Sequence, residues 1–205
     1  MLLPINAEHP EPRKIEKAVE TLKGGGVIAY PTGTVYGLGC DILNKKAIEK
    51  VYRIKGIDRK KPLSFLVYDL SDLARYARVD DAAYRIMKRL VPGPYTFILE
   101  ATKEVPRLVL SKRNTVGIRV PDHPVALALL KGLGNPIIST SASHDGEMIS
   151  NAERINELYG TLDLILDAGP ADNKPSTILA ISENGEIEIL REGAGPIDRV
   201  VRVQE

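Results

Sequence analysis

Across residues 12–22 the apolar positions Ile15, Ala18, Val19 and Leu22 recur at spacings of three and four, the mark of one buried helix face. Gly24-Gly25-Gly26 then ends the helix. Residues 27–30 form a short apolar run closed by Pro31, which predicts a strand covered on both faces. A second helix is predicted over 47–54, with Ala47, Ile48, Val51 and Ile54 on one side, and a strand over 63–68. Helices at 70–76 and 80–90 precede a Pro92-Gly93-Pro94 turn, strands at 95–101 and 115–120, and a helix at 125–131. The pattern continues with a strand at 136–140, a helix at 151–159, a strand at 162–166 and a closing pair at 176–181 and 187–191.

Helices and strands alternate without a linker, a repeat or a low-complexity stretch, so a single α/β domain over residues 1–205 is the economical reading. Consecutive strands near the centre and the end predict a mixed sheet. Composition changes this picture little: with 43 % apolar and 27 % charged residues, the chain resembles an average globular protein. A net charge of +1 excludes binding to nucleic acid through bulk positive charge. The single cysteine, Cys40, and three scattered histidines offer no metal-ligand spacing, so no metal site is expected. No apolar run reaches the roughly 18 residues of a membrane span and no signal-peptide pattern opens the chain, which predicts a cytoplasmic protein without membrane contact.

The near-neutral total hides a local excess. Between Lys45 and Lys61 eight basic residues face only Glu49 and Asp58. Lys45, Lys46 and Lys50 read as a solvated helix face, whereas Lys55, Arg59 and Lys61 gather in a loop with Gly56 and Pro62, where a solvated loop and a polyanion site are equally good readings. Pro31-Thr32-Gly33-Thr34-Val35-Tyr36-Gly37-Leu38-Gly39 follows a strand and suits either a tight turn or a loop that lets a ligand approach the backbone. Arg119 interrupts an apolar strand and needs an anionic partner, either a substrate carboxylate or a structural acid. The run from Ser139 to Ser143 lacks the setting of a nucleophilic serine and suits hydrogen bonding to phosphate or carboxylate. Ser176, Thr177 and Arg191 add further hydroxyls and a cation.

In this order, the segments PTGTVYGLGCD, YRIKG with KKPLSFLV, PGPYTFILEA, TVGIRVPDHP, STSAS and PSTI with REG resemble the YrdC family of L-threonylcarbamoyladenylate synthases, over about residues 15–193. The resemblance implies an open, twisted, mixed sheet with a concave basic face. It also implies a reaction: threonine, bicarbonate and ATP give threonylcarbamoyl-AMP and pyrophosphate, the first step of threonylcarbamoyladenosine formation in tRNA, with Mg2+ carried on the nucleotide. By position, Thr34, Arg119, Ser139, Ser176 and Thr177 match threonine contacts. Lys55, Thr115, Ser141 and Arg191 match ATP contacts, and Lys55 and Ser141 are the candidate catalytic residues.

Two positions depart from the family. Its synthases typically carry K-x-R and S-x-N around the triphosphate, where this chain has Lys55-Gly56-Ile57 and Ser141-Ala142-Ser143. Ile57 has no donor, and Ser143 has one where an amide has two. Arg59, two residues on, is the candidate replacement for the absent arginine. The wording of 55–77 and 95–110 is closer to the YciO branch, which implies a weak synthase or, as an alternative, a non-catalytic paralogue that binds double-stranded RNA, tRNA or rRNA on the basic face.

Overall fold

A computed structural model describes residues 1–71, 73–182 and 185–204. The chain opens with β1 (Leu2–Pro4) and α1 (Pro12–Lys23), which buries Ile15, Ala18, Val19 and Leu22 as the spacing predicts. β2 (Ile28–Pro31) is followed by β3 (Tyr36–Asp41), α2 (Lys45–Lys55), β4 (Ser64–Leu66), α3 (Leu73–Tyr76) and β5 (Ala77–Arg78). Next come α4 (Asp81–Leu90), β6 (Tyr95–Ala101), β7 (Thr115–Arg119), α5 (Pro124–Leu133) and β8 (Ile137–Ser141). A small hairpin of β9 (Ser143–His144) and β10 (Glu147–Met148) precedes α6 (Ala152–Leu158), β11 (Leu164–Asp167), β12 (Thr177–Ile181), β13 (Ile187–Arg191) and α7 (Ile197–Gln204).

Three expectations are corrected. Lys55 is the last residue of α2 and not part of a loop; Gly56, left-handed with φ 65°, ends the helix just after it. The helix expected over 70–76 is only Leu73–Tyr76, and Asp72 falls outside the described residues. The segment read as a glycine-bearing loop contains β3, whose six residues are all buried. Its glycines hid it, because alternate positions carry no side chain to register as apolar. A Cβ on Gly39 would lie 2.2 Å from the Ile138 carbonyl oxygen, so the neighbouring strand needs glycine there.

Among the described residues eleven strands form one mixed sheet, in the order β1-β11-β2-β3-β8-β4-β7-β6-β12-β13, with β5 added beside β6. Side chains alternate across it, and the two faces differ. The first face carries Tyr36, Leu38, Cys40, Phe65, Phe97, Leu99, Val116, Ile118, Ile138 and Leu179 into the main core, under α2, α4 and α6. The second face is apolar only where α1 and α5 cover Ile28, Tyr30, Leu66, Ile137, Leu164 and Leu166. Beyond that cover the same face presents Gly37, Ser139 and Ser141, Ser64, Gly117 and Arg119, and Thr96, residues too small or too polar to build a core. No helix among the described residues is long and apolar enough to cross a membrane.

Candidate functional site

The uncovered part of the second face forms a cavity of about 240 Å³, lined among others by Thr32, Thr34, Lys61, Ser64, Thr96, Arg119, Ser139, Ser141, Ser176 and Arg191. At its base Arg119 is 5 % exposed. Its Nε donates to the Gly93 carbonyl at 3.0 Å, Nη2 to the Thr32 carbonyl at 2.8 Å and Nη1 to Thr34 Oγ1 at 2.8 Å. Every one of these acceptors is neutral. Among the described residues no carboxylate lies within ion-pair distance of Arg119, Arg191, Lys55 or Lys61. The structural acid that would have made Arg119 an internal ion pair is therefore missing, and its positive charge remains for a ligand. Burial pushes the guanidinium down to about 10, so it stays charged at neutral pH.

The turn between β2 and β3 is shaped to serve this arginine. Gly33, left-handed with φ 81°, packs where a Cβ would lie 2.4 Å from the Asp122 carbonyl oxygen, and the turn delivers both Thr32 and Thr34 to Arg119. Across the cavity Thr96 Oγ1 and Ser176 Oγ share a hydrogen bond of 2.8 Å. The Ser139 and Ser64 hydroxyls lie over glycines: a Cβ on Gly37 would come 2.8 Å from Ser139 Oγ, and one on Gly117 2.3 Å from Ser64 Oγ. Without these glycines the hydroxyl floor has no room.

Arg191 reaches the cavity because β13 is bulged. Its register against β12 shifts between Ile178 and Leu179, so that Arg191 stands opposite Ile178 while Ile189 stands opposite Leu179. Both Ile178 and Arg191 then line the cavity, and Arg191 is steadied by the Ser176 carbonyl at 2.7 Å.

Lys55 stands at the edge and not in the lining. Its Nζ bonds the Ser143 carbonyl oxygen, lies 2.7 Å from Ser143 Oγ and 3.4 Å from the Tyr159 hydroxyl. Burial, with a smaller contribution from Lys61, lowers it to about 8. Ile57 packs toward the main core and does not line the cavity. Arg59 is exposed on the loop and does not line the cavity.

Two further expected residues stand apart from the group. Thr177 points to the opposite face, where its hydroxyl donates to the Gly195 carbonyl at 2.7 Å and accepts from Gly193 N–H at 3.0 Å. Thr115 shares a face with Arg119 four residues away, about 13 Å along a strand, and bonds Ser111 Oγ at 2.7 Å. It lines a larger neighbouring cavity of about 1020 Å³, together with Ile98, Glu100, Lys112, Arg113 and Glu188. Lys61, one of the loop cations that the sequence left open between a polyanion site and a solvated loop, does line the cavity. Thr96, Tyr159 and the Ser64 side chain were missed by sequence reasoning as site residues. The alternation Ser64-Phe65-Leu66 was the available signal for Ser64, because it puts the serine on the face opposite the main core.

The family model named for Sua5, YciO and YrdC, described as telomere recombination, matches residues 20–193. The chain belongs to the Sua5/YciO/YrdC family. It is 42 % identical to the uncharacterised protein YciO of Escherichia coli over 197 residues, 94 % of this chain and 95 % of that one. The crystal structure of E. coli YciO superposes with a TM-score of 0.91 and covers 98 % of both chains. Sua5 of P. abyssi, solved with L-threonine, gives a TM-score of 0.92 at 30 % identity over 99 % of this chain and 60 % of its own. A putative threonylcarbamoyl-AMP synthase of Methanocaldococcus jannaschii is 36 % identical over 91 % of each chain. The family fold, a mixed, open, twisted α/β sheet, is thus shared with both the YciO and the Sua5 branches.

Proposed function

We propose that the cavity binds the carboxylate of threonine on Arg119 and the phosphates of ATP between Lys55, Lys61 and Arg191, and that the chain makes threonylcarbamoyl-AMP. Arg119 carries this reading: it is a buried cation held only by neutral oxygens and opening onto a cavity lined by hydroxyls. The relative solved with L-threonine supports the choice of amino acid.

In the reaction, the threonine amine and bicarbonate give an N-carboxylate with loss of water. A carboxylate oxygen then bonds to the α-phosphorus of ATP, the bond from that phosphorus to the bridging oxygen breaks, and pyrophosphate leaves. Two anions must approach each other, so the cavity's work is charge compensation and orientation more than nucleophilic attack. Thr34 and Ser139 flank the carboxylate, and Ser141 and Arg191 face the phosphates. Among the described residues no group of three or more His, Cys, Asp or Glu side chains is placed to hold a metal ion, and Mg2+ would arrive on the triphosphate. An RNA-backbone reading has less support, because Arg119 is recessed where a helical phosphate backbone does not reach.

The test is pyrophosphate release with ATP, L-threonine and bicarbonate, with the adduct identified by mass. Threonine-dependent release is expected, and Arg119→Lys should raise the threonine KM at least about tenfold, since an ammonium cannot reproduce the guanidinium fork. Absence of product above a blank without protein would sink the proposal.

A further inference from the structure

Lys55 is held by a small hydrogen-bonded cluster that the reaction itself does not explain. The Ser143 carbonyl oxygen takes two donors, Lys55 Nζ and the Tyr159 hydroxyl, the latter at 2.6 Å. Ser143 Oγ lies 2.7 Å from the same ammonium, and Lys55 Nζ stands 5.7 Å from the centre of the Tyr159 ring. The cluster joins three elements: the last residue of α2, the first residue of the β9–β10 hairpin and the residue that ends α6. Ser141, two residues before the hairpin serine, lines the cavity, and so does Lys61 in the loop after α2. The cluster therefore ties together the two loops that border the phosphate side.

We propose that Lys55 is a detachable latch, held on Ser143 when the cavity is empty and released to a phosphate when it is filled, and that Tyr159 is the positioning residue that makes release cheap. This rests on the phosphate-binding reading given above. When Lys55 leaves, a part-buried carbonyl would lose its charged donor, and an orphaned buried acceptor is costly. Tyr159 removes that cost, because its hydroxyl stays on the carbonyl whether or not Lys55 does. Ser143 Oγ, freed of the ammonium, can then donate its own hydrogen to the incoming anion. A latch of this kind needs a cation that no carboxylate pins down, and Lys55 has neutral partners only. The charged group whose field acts on Lys55 is Lys61, which disfavours the ammonium; Asp145, in the hairpin turn, acts on Tyr159.

The experiment is a double-mutant cycle with inorganic tripolyphosphate as the probe, measured by calorimetry on the full chain. Tyr159→Phe should weaken binding about fivefold, the size of one neutral hydrogen bond, and should do nothing in a Lys55→Gln background. An equal loss in both backgrounds would make Tyr159 merely structural and overturn the latch, as would unaltered binding in the single variant. A second reading needs no ligand: the Lys55 titration followed by NMR of lysine labelled at Cε. Tyr159→Phe leaves the Ser143 carbonyl wholly to the ammonium, so the Lys55 midpoint should rise, while an unmoved midpoint overturns the latch. Should wild-type protein bind no tripolyphosphate, the phosphate reading of the cavity fails and takes the latch with it, whereas binding by wild type with no loss in Tyr159→Phe overturns the latch alone.

Discussion

Gly117 shows how much of the site depends on an atom that is not there. On β7 it lies between Thr115 and Arg119 on the same face, and its missing Cβ is the space in which the Ser64 hydroxyl rests. Gly117→Ala should destabilise the fold by about 1–3 kcal/mol, the usual cost of overpacking, and weaken ligand binding in the cavity. Adding Ser64→Ala should restore most of the thermal stability without restoring binding, a pairing that differential scanning calorimetry and a threonine titration separate. If Gly117→Ala leaves both unaltered, the hydroxyl floor has no fixed geometry. At this scale Arg119 was legible in the sequence, because a charge inside an apolar strand always needs explanation. Its partner was not legible. Only the folded chain shows that Gly93, Thr32 and Thr34 offer neutral oxygens and that, among the described residues, no carboxylate comes within ion-pair distance.

The helices were the more legible elements, and α5 shows both why and what a periodic pattern leaves out. Its buried Val125, Ala126, Leu129, Leu130 and Leu133 follow helical spacing, but its start depends on His123, whose Nδ1 accepts from the Val125 N–H at 3.2 Å. That bond requires the neutral ring, and burial lowers the His123 pKa below its ordinary 6.5. The folded chain thus binds this proton less readily than the unfolded chain, so stability rises with pH through the window below about 6.5 and is lost as pH falls through it. His123→Asn should keep the cap and flatten that part of the pH–Tm curve. His123→Ala should cost about 1 kcal/mol at neutral pH, and an acid slope unaltered in both variants would show that His123 does not set it. Strands proved harder to read, because β3 has glycine at alternate positions and the bulge in β13 reverses the face that simple alternation assigns to Arg191.

For the whole molecule, the order of the sheet is what the sequence pattern did not contain. Interleaved helices and strands indicate an α/β fold, yet nothing local says that β8 lies between β3 and β4, or that β7 separates β4 from β6. Those pairings bring Thr34, Ser64, Thr96, Arg119, Ser139 and Arg191 around one cavity. A ligand held by so many strands binds the native state only, so threonine or ATP at 100 times its dissociation constant should add about 2.7 kcal/mol of stability. The expected readout is a raised Tm with slower amide exchange across the central strands. Slowing confined to the β2–β3 turn would mean that the ligand does not engage the sheet.

The bulged edge strand also has a bearing on how the protein comes into being. Because Arg191 enters the cavity only when β13 has paired with β12, a nascent chain on the ribosome has no complete cavity while that strand is still in the exit tunnel, even after the turn carrying Thr32 and Thr34 has emerged. A ligand whose binding needs Arg191 can therefore be held only by chains that have finished assembling the sheet, and it cannot guide the early stages of folding.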